Sequence, residues 1–210
     1  MNRLPGIALY PLPVDSELPP PRVPWELDRD SGALLIHDMQ AYFLGAFEAG
    51  HLVDRLIANI ISVRRWCDEW GIPVFYTAQR GGQHPRDRGL QGDFWGPGMR
   101  RDPASEAIVE ALAPKPGDIV LDKHRYSAFQ RSPFEAMLRA RGRSQLIVTG
   151  IYAHIGCLLT TADAFQRDFQ PFFVADAVAA FSRETHDLAV RHVSHCCGLV
   201  TTAARITEER

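Results

Sequence analysis

Short, nearly continuous apolar runs punctuate this chain, and each closes on polar or turn-forming residues. Residues 33–36 run into His37-Asp38, residues 118–121 into Asp122-Lys123, and residues 146–149 into Gly150-Ile151-Tyr152-Ala153-His154-Ile155-Gly156-Cys157. Residues 73–77, 171–174 and 199–202 are three further runs of strand length. Because they do not alternate in polarity, they predict strands buried on both faces, as in a parallel sheet. Between them the apolar residues recur at helical spacing. Residues 51–70 carry Val53, Leu56, Ile57, Ile60, Val63, Cys67 and Trp70, a broad stripe closed by Gly71. Ser132-Pro133 opens a helix to about Arg141, with Pro133 at the first helical position. Residues 156–169 and 182–197 supply two more, the last capped by Ser182 or, alternatively, Thr185. This alternation predicts an α/β, three-layer doubly wound fold: a six-stranded, mainly parallel sheet with helices on both faces. In such a sheet the carboxyl ends of the strands share one rim, where ligands bind. Asp38, Lys123 and the turn at 150–157 then converge in one cleft suited to a small anionic molecule.

Two stretches depart from the alternation. Residues 1–30 hold Pro5, Pro11, Pro13, Pro19, Pro20, Pro21 and Pro24, which favours extended backbone draped over the surface of a single domain at 31–210. Residues 79–102 are rich in glycine and arginine. A connection this long is often a binding loop, and it leaves the second strand on the same rim as Asp38.

Composition narrows the classes. The 210 residues are 46% hydrophobic and 23% charged, with a net charge of −2. That balance gives no pull towards nucleic acid or an anionic membrane. No apolar run reaches transmembrane length, and no secretory signal is expected behind the N-terminus. Four cysteines, two of them adjacent at Cys196 and Cys197, do not make a disulfide framework. A reduced, cytoplasmic protein is expected. The chain ends at Arg210 soon after the last run, so no carrier domain is expected to follow.

Taken singly, Asp38 reads first as a helix cap or solvated turn residue, and Lys123 as a solvated charge. Together on one rim they can hold a substrate and move protons. His37-Asp38-Met39-Gln40, then Lys123 with Arg125-Tyr126-Ser127-Ala128-Phe129, then residues 150–157 with Thr161 and Asp163-Ala164-Phe165, and Asp93-Phe94-Trp95-Gly96-Pro97-Gly98, resemble the isochorismatase-like hydrolases. The resemblance covers residues 38 to about 182.

Amidase members of that superfamily carry an Asp-Lys-Cys triad. Their cysteine falls at Gly156 here, while Cys157 stands one residue later and is expected to turn into helix packing. Thr77-Ala78-Gln79-Arg80 stands where the metal-binding amidases have Asp-x-His, and His51, His84 and His124 show no ligand spacing, so no metal and no cofactor are expected. Loss of the nucleophile resembles the isochorismatase subgroup, which hydrolyses an enolpyruvyl vinyl ether. The resemblance implies Asp38 as general acid with Lys123 beside it. Arg88 is implied for a substrate carboxylate, Gln79 for ring substituents, and Phe43, Trp95 and Tyr126 as walls. It implies a cis peptide before Tyr152. Gly156 leaves room at a helix start whose N–H groups are expected to bind a carboxylate. His124 stands where close relatives often have tryptophan, and His154 is expected to pack or cap. The substrate is then a small dianion, isochorismate or its 2-amino-2-deoxy analogue, and the family usually forms homodimers. The alternatives are a cysteine amidase using Cys157, or a non-catalytic aromatic-acid binding protein.

Overall fold

A computed structural model describes residues 4–208; the first three residues of the proline-rich segment and the last two of the chain lie outside it. Its strands are β1 (Gly32–His37), β2 (Val74–Ala78), β3 (Ile119–Asp122), β4 (Gln145–Ile151), β5 (Gln170–Ala179) and β6 (Leu199–Thr201). The helices are α1 (Ala41–Leu44), α2 (His51–Glu69), the short α3 (Pro85–Arg88), α4 (Gln91–Trp95) and α5 (Pro103–Glu106), then α6 (Phe134–Ala140), α7 (Leu158–Gln166), α8 (Arg183–Cys196) and α9 (Ala203–Glu208). The sheet runs β3-β2-β1-β4-β5-β6, and every pairing is parallel. The direction of winding reverses between β1 and β4, which opens a crevice at their carboxyl ends.

The pleat sorts each strand between two cores. Leu34 and Ile36 of β1 join Val74, Tyr76, Ile147 and Val174 against α2 and α9. Ala33 and Leu35 join Phe75, Leu146, Val148 and Phe173 against α6, α7 and α8. Burial on both faces fails at one strand: β3 is an edge, and its Val120 is 47% exposed. β5 is longer than its apolar run, because it continues through small residues to Ala179 past a register shift at Val148/Gly150.

Helix starts follow local hydrogen bonding. Ser182 accepts from the Thr185 N–H at 3.2 Å and caps α8. The Phe134 N–H bonds the Ser132 hydroxyl, so Pro133 sits at the cap of α6 rather than inside it. A π-helical turn at Ala153–Cys157 precedes α7, which starts at Leu158 rather than at Gly156. The proline-rich segment does more than drape. Ile7 is fully buried beside Phe47, and the Tyr10 hydroxyl accepts from the Ala180 N–H at 2.7 Å. Apolar residues between the prolines anchor it, and Leu4 reaches the crevice.

Candidate active site

A partly open cavity occupies the crevice, at the carboxyl ends of the strands where ligands bind in such sheets. Asp38, Lys123, Gln79, Arg88, Trp95, Tyr126, Tyr152, Gly156 and Phe43 all line it. They come from β1, β2, the loop after β3, the turn after β4, α1 and the long 79–102 connection, which folds back over the cavity through α3 and α4.

Asp38 is the first residue beyond β1 and adopts a left-handed φ of 49°. That conformation turns its carboxylate from the strand into the crevice, and aspartate tolerates it better than most residues. Lys123 Nζ donates to Oδ2 at 2.6 Å. The Thr77 hydroxyl donates to Oδ1 at 2.6 Å and accepts the Asp38 N–H at 3.0 Å. Gln79 Nε2 approaches Oδ2 at 3.4 Å. Gln40 fixes Gln79 in turn, accepting its N–H at 2.7 Å and donating to its carbonyl at 2.8 Å. Burial pushes the Asp38 carboxyl up, but the Lys123 ammonium and the hydrogen bonds outweigh it and hold the group below the usual carboxylate range. Asp38 is therefore ionised in this state.

Arg88 is buried, and its Nε donates to the Gly96 carbonyl at 2.6 Å. Among the described residues it pairs with no carboxylate. Gly98, at φ +77°, leaves space for it: a Cβ there would stand 2.6 Å from the Arg88 Cζ. Trp95 Nε1 donates to the Tyr126 hydroxyl at 2.7 Å, and Trp95 meets Phe181 edge-on. The Tyr152 hydroxyl donates to the Phe43 carbonyl at 2.7 Å, so its ring serves as wall and tether. The Ile151–Tyr152 peptide is cis.

The expected carboxylate site on the helix start near Gly156 is not formed in that way. The Ile155 and Cys157 N–H groups both bond the Tyr152 carbonyl, at 3.0 and 3.2 Å, because the chain makes a π-helical turn there. What Gly156 leaves room for is the His37 ring, which a Cβ at that position would overlap. Burial pushes the His37 imidazole down to about 4, with the Asp38 carboxylate pulling the other way. Both ring nitrogens face carbonyls, Nδ1 that of Ile151 at 2.7 Å and Nε2 that of Tyr126 at 3.3 Å, and the shorter contact favours the proton on Nδ1.

Cys157 is fully buried in the core between the sheet and α6–α8, away from the cavity, and burial pushes its thiol well above the ordinary range. His154 packs edge-on against Phe181 at 4.7 Å. His124 is half-buried and does not line the cavity. The sequence reading gave His37, Thr77 and Phe181 no role in the site. The signal for Thr77 was its register opposite His37, which only the paired sheet displays.

The fold and the cavity define a doubly wound α/β protein with an acid–cation pair and a buried arginine at its topological switch point. Residues 32–205 match the Isochorismatase domain. The chain belongs to the isochorismatase family of hydrolases. It is 47% identical to the isochorismatase of Bacillus subtilis, over 98% of this chain and 66% of that protein, so it spans just under two thirds of that relative. It is 46% identical to phenazine biosynthesis protein PhzD1 of Pseudomonas aeruginosa, over 99% of this chain and 100% of that one. It is 46% identical to enterobactin synthase component B of Escherichia coli, over 98% of this chain and 71% of that one. Among solved structures, a cysteine hydrolase from Pseudomonas syringae superposes with a TM-score of 0.81 at 22% identity, over 90% of this chain and 96% of that one, a likeness of fold.

Proposed function

We propose that this protein hydrolyses the enolpyruvyl vinyl ether of isochorismate or 2-amino-2-deoxyisochorismate, giving pyruvate and a dihydroaromatic acid for siderophore or phenazine-type biosynthesis. The observation that carries this reading is the Asp38–Lys123 pair facing a cavity that no cysteine, serine or threonine lines among the described residues: Gly156 leaves its place to the His37 ring, and Cys157 lies in the core. The relatives' names support the substrate class.

A vinyl ether needs a proton on its terminal methylene carbon, not an attacking thiolate. Asp38 Oδ2 delivers that proton, and the substrate becomes an oxocarbenium ion. Water adds to the cationic carbon and returns a proton to Asp38. The resulting hemiketal then collapses to pyruvate and the ring alcohol, so each turnover consumes one water and leaves Asp38 unchanged. The ionised resting state of Asp38 sets a requirement. A dianion held by Arg88 and Lys123 brings negative charge beside the carboxylate, weakens its pairing with Lys123 and raises its proton affinity. Substrate binding thus arms the acid. Gln79 is positioned to hydrogen-bond the ring substituent or the incoming water, while Phe43, Trp95, Tyr126 and Tyr152 wall the ring.

The test is turnover of each substrate in ¹⁸O-water. The expected outcome is pyruvate from at least one of them, with the ring alcohol keeping its original oxygen. Label in the ring hydroxyl, or no pyruvate from either substrate, overturns the reading. The preferred substrate assigns the pathway.

A further inference from the structure

The far end of α8 carries chemistry that vinyl-ether hydrolysis does not use. His192 and Cys196 lie one helical turn apart, and Cys197 follows at the C-cap, where the backbone leaves helical geometry at φ −147°. Their ligand atoms all lie within 4.8 Å of one another, and among the described residues no other group of histidine, cysteine or carboxylate side chains does so. His192 Nε2 stands 3.5 Å from Cys196 Sγ. A nitrogen and a sulfur bound to one tetrahedral Zn²⁺, with bonds of about 2.0 and 2.3 Å, stand roughly 3.5 Å apart. This pair already has the spacing of two ligands on one ion. Cys196 Sγ donates to the His192 carbonyl at 3.1 Å, and Cys196 and Cys197 are both free thiols.

The surroundings suit a cation. The negative end of the dipole of a 14-residue helix points at the cluster. Two thiolates with a neutral imidazole balance a double positive charge. Cys197 is buried and fixes one ligand, while His192 and Cys196 are exposed and free to adjust.

We propose that His192, Cys196 and Cys197 form a three-ligand site for one soft divalent cation of the Zn²⁺ class, with the fourth tetrahedral position open to solvent. Binding releases the two thiol protons. The site lies at the opposite rim of the sheet from the cavity, separated by the length of α8, about 20 Å. It clips the end of α8 to the turn that enters β6, so it acts on stability and takes no part in hydrolysis.

The experiment uses the full chain, reduced and stripped of metal, titrated with Co²⁺ alone. The expected result is one Co²⁺ per chain, with thiolate-to-cobalt charge-transfer absorption and intense tetrahedral bands, both displaced by Zn²⁺. His192→Gln and Cys196→Ser each weaken binding at least about tenfold. Because both positions are exposed, the metal-free melting temperature of each variant stays at the wild-type value. Absence of the charge-transfer band, or its survival in both variants, overturns the proposal. Buried Cys67 and Cys157 remain in both variants and report any non-specific thiol binding.

Discussion

Arg64 and Asp118 form an ion pair whose side chains are each 7% exposed, and Lys123 and Asp38, at 3% and 7%, are placed as deeply. The two pairs differ in what surrounds them. Arg64 donates to both Asp118 oxygens at 2.7 and 3.0 Å, to Asp68 at 2.8 Å and to the Tyr76 hydroxyl at 2.8 Å. Asp118 also accepts the Lys115 N–H at 2.6 Å. That pair is saturated and ties α2 to the start of β3. Lys123 has three N–H donors, and among the described residues its side chain uses one of them, on Asp38. Lys123 and Arg88 both line the cavity, and among the described residues Arg88 has no carboxylate partner. Burial alone therefore does not single out the pair proposed to act on substrate. Unused hydrogen-bonding capacity facing a cavity does.

Removing the saturated pair tests the contrast on the stability side. Arg64→Ala leaves buried acceptors without their donor, and the expected loss is about 3–5 kcal/mol in urea unfolding, with turnover per folded molecule close to wild type. A large loss of turnover in the folded fraction would mean that the two pairs are not separate in role. Acid gives a smaller effect. The His37 and His186 imidazoles are each held at about 4, against an ordinary 6.5. Below 6.5 the unfolded chain takes up protons that these folded rings refuse. Stability is therefore fully present above that value and falls as pH drops towards 4. Between pH 7 and 5 each fully buried ring accounts for roughly 2 kcal/mol. Unfolding free energies that match at pH 7 and 5 would contradict the neutral, buried assignment.

Gly156→Ala places a methyl group against the His37 ring, and overpacking of this kind costs about 1–3 kcal/mol. Melting temperature and turnover should fall together, whereas a neutral outcome would show that His37 moves aside freely. The smallest expected effect is from thiol alkylation under native conditions: modification of exposed Cys196 with turnover unchanged. Inactivation that tracks labelling of Cys157 would restore the cysteine amidase.

Most of the sheet was legible because its strands are apolar runs, and the rim position of Asp38 and Lys123 followed from where those runs stop. The short helices α1, α3, α4 and α5 were not. At four or five residues they have no periodicity to read, and hydrogen bonds such as those of Asp102 with Ala104 and Ser105 set them. α9 was missed because what fixes its start is distant: the Ala203 N–H bonds the Asp176 carboxylate of β5 at 2.8 Å. The residues that line the cavity were legible, but not their couplings. That Thr77 holds one Asp38 oxygen, and that His37 fills the place of a missing side chain, depends on register and on a π-helical turn that local sequence does not announce.

The central claim is that Asp38 supplies the proton, and Asp38→Asn tests it most directly, because asparagine tolerates the left-handed backbone at this position. Pyruvate release per folded molecule should fall by roughly 10²–10⁴-fold. Pyruvate released at the wild-type rate by the folded variant would contradict the account.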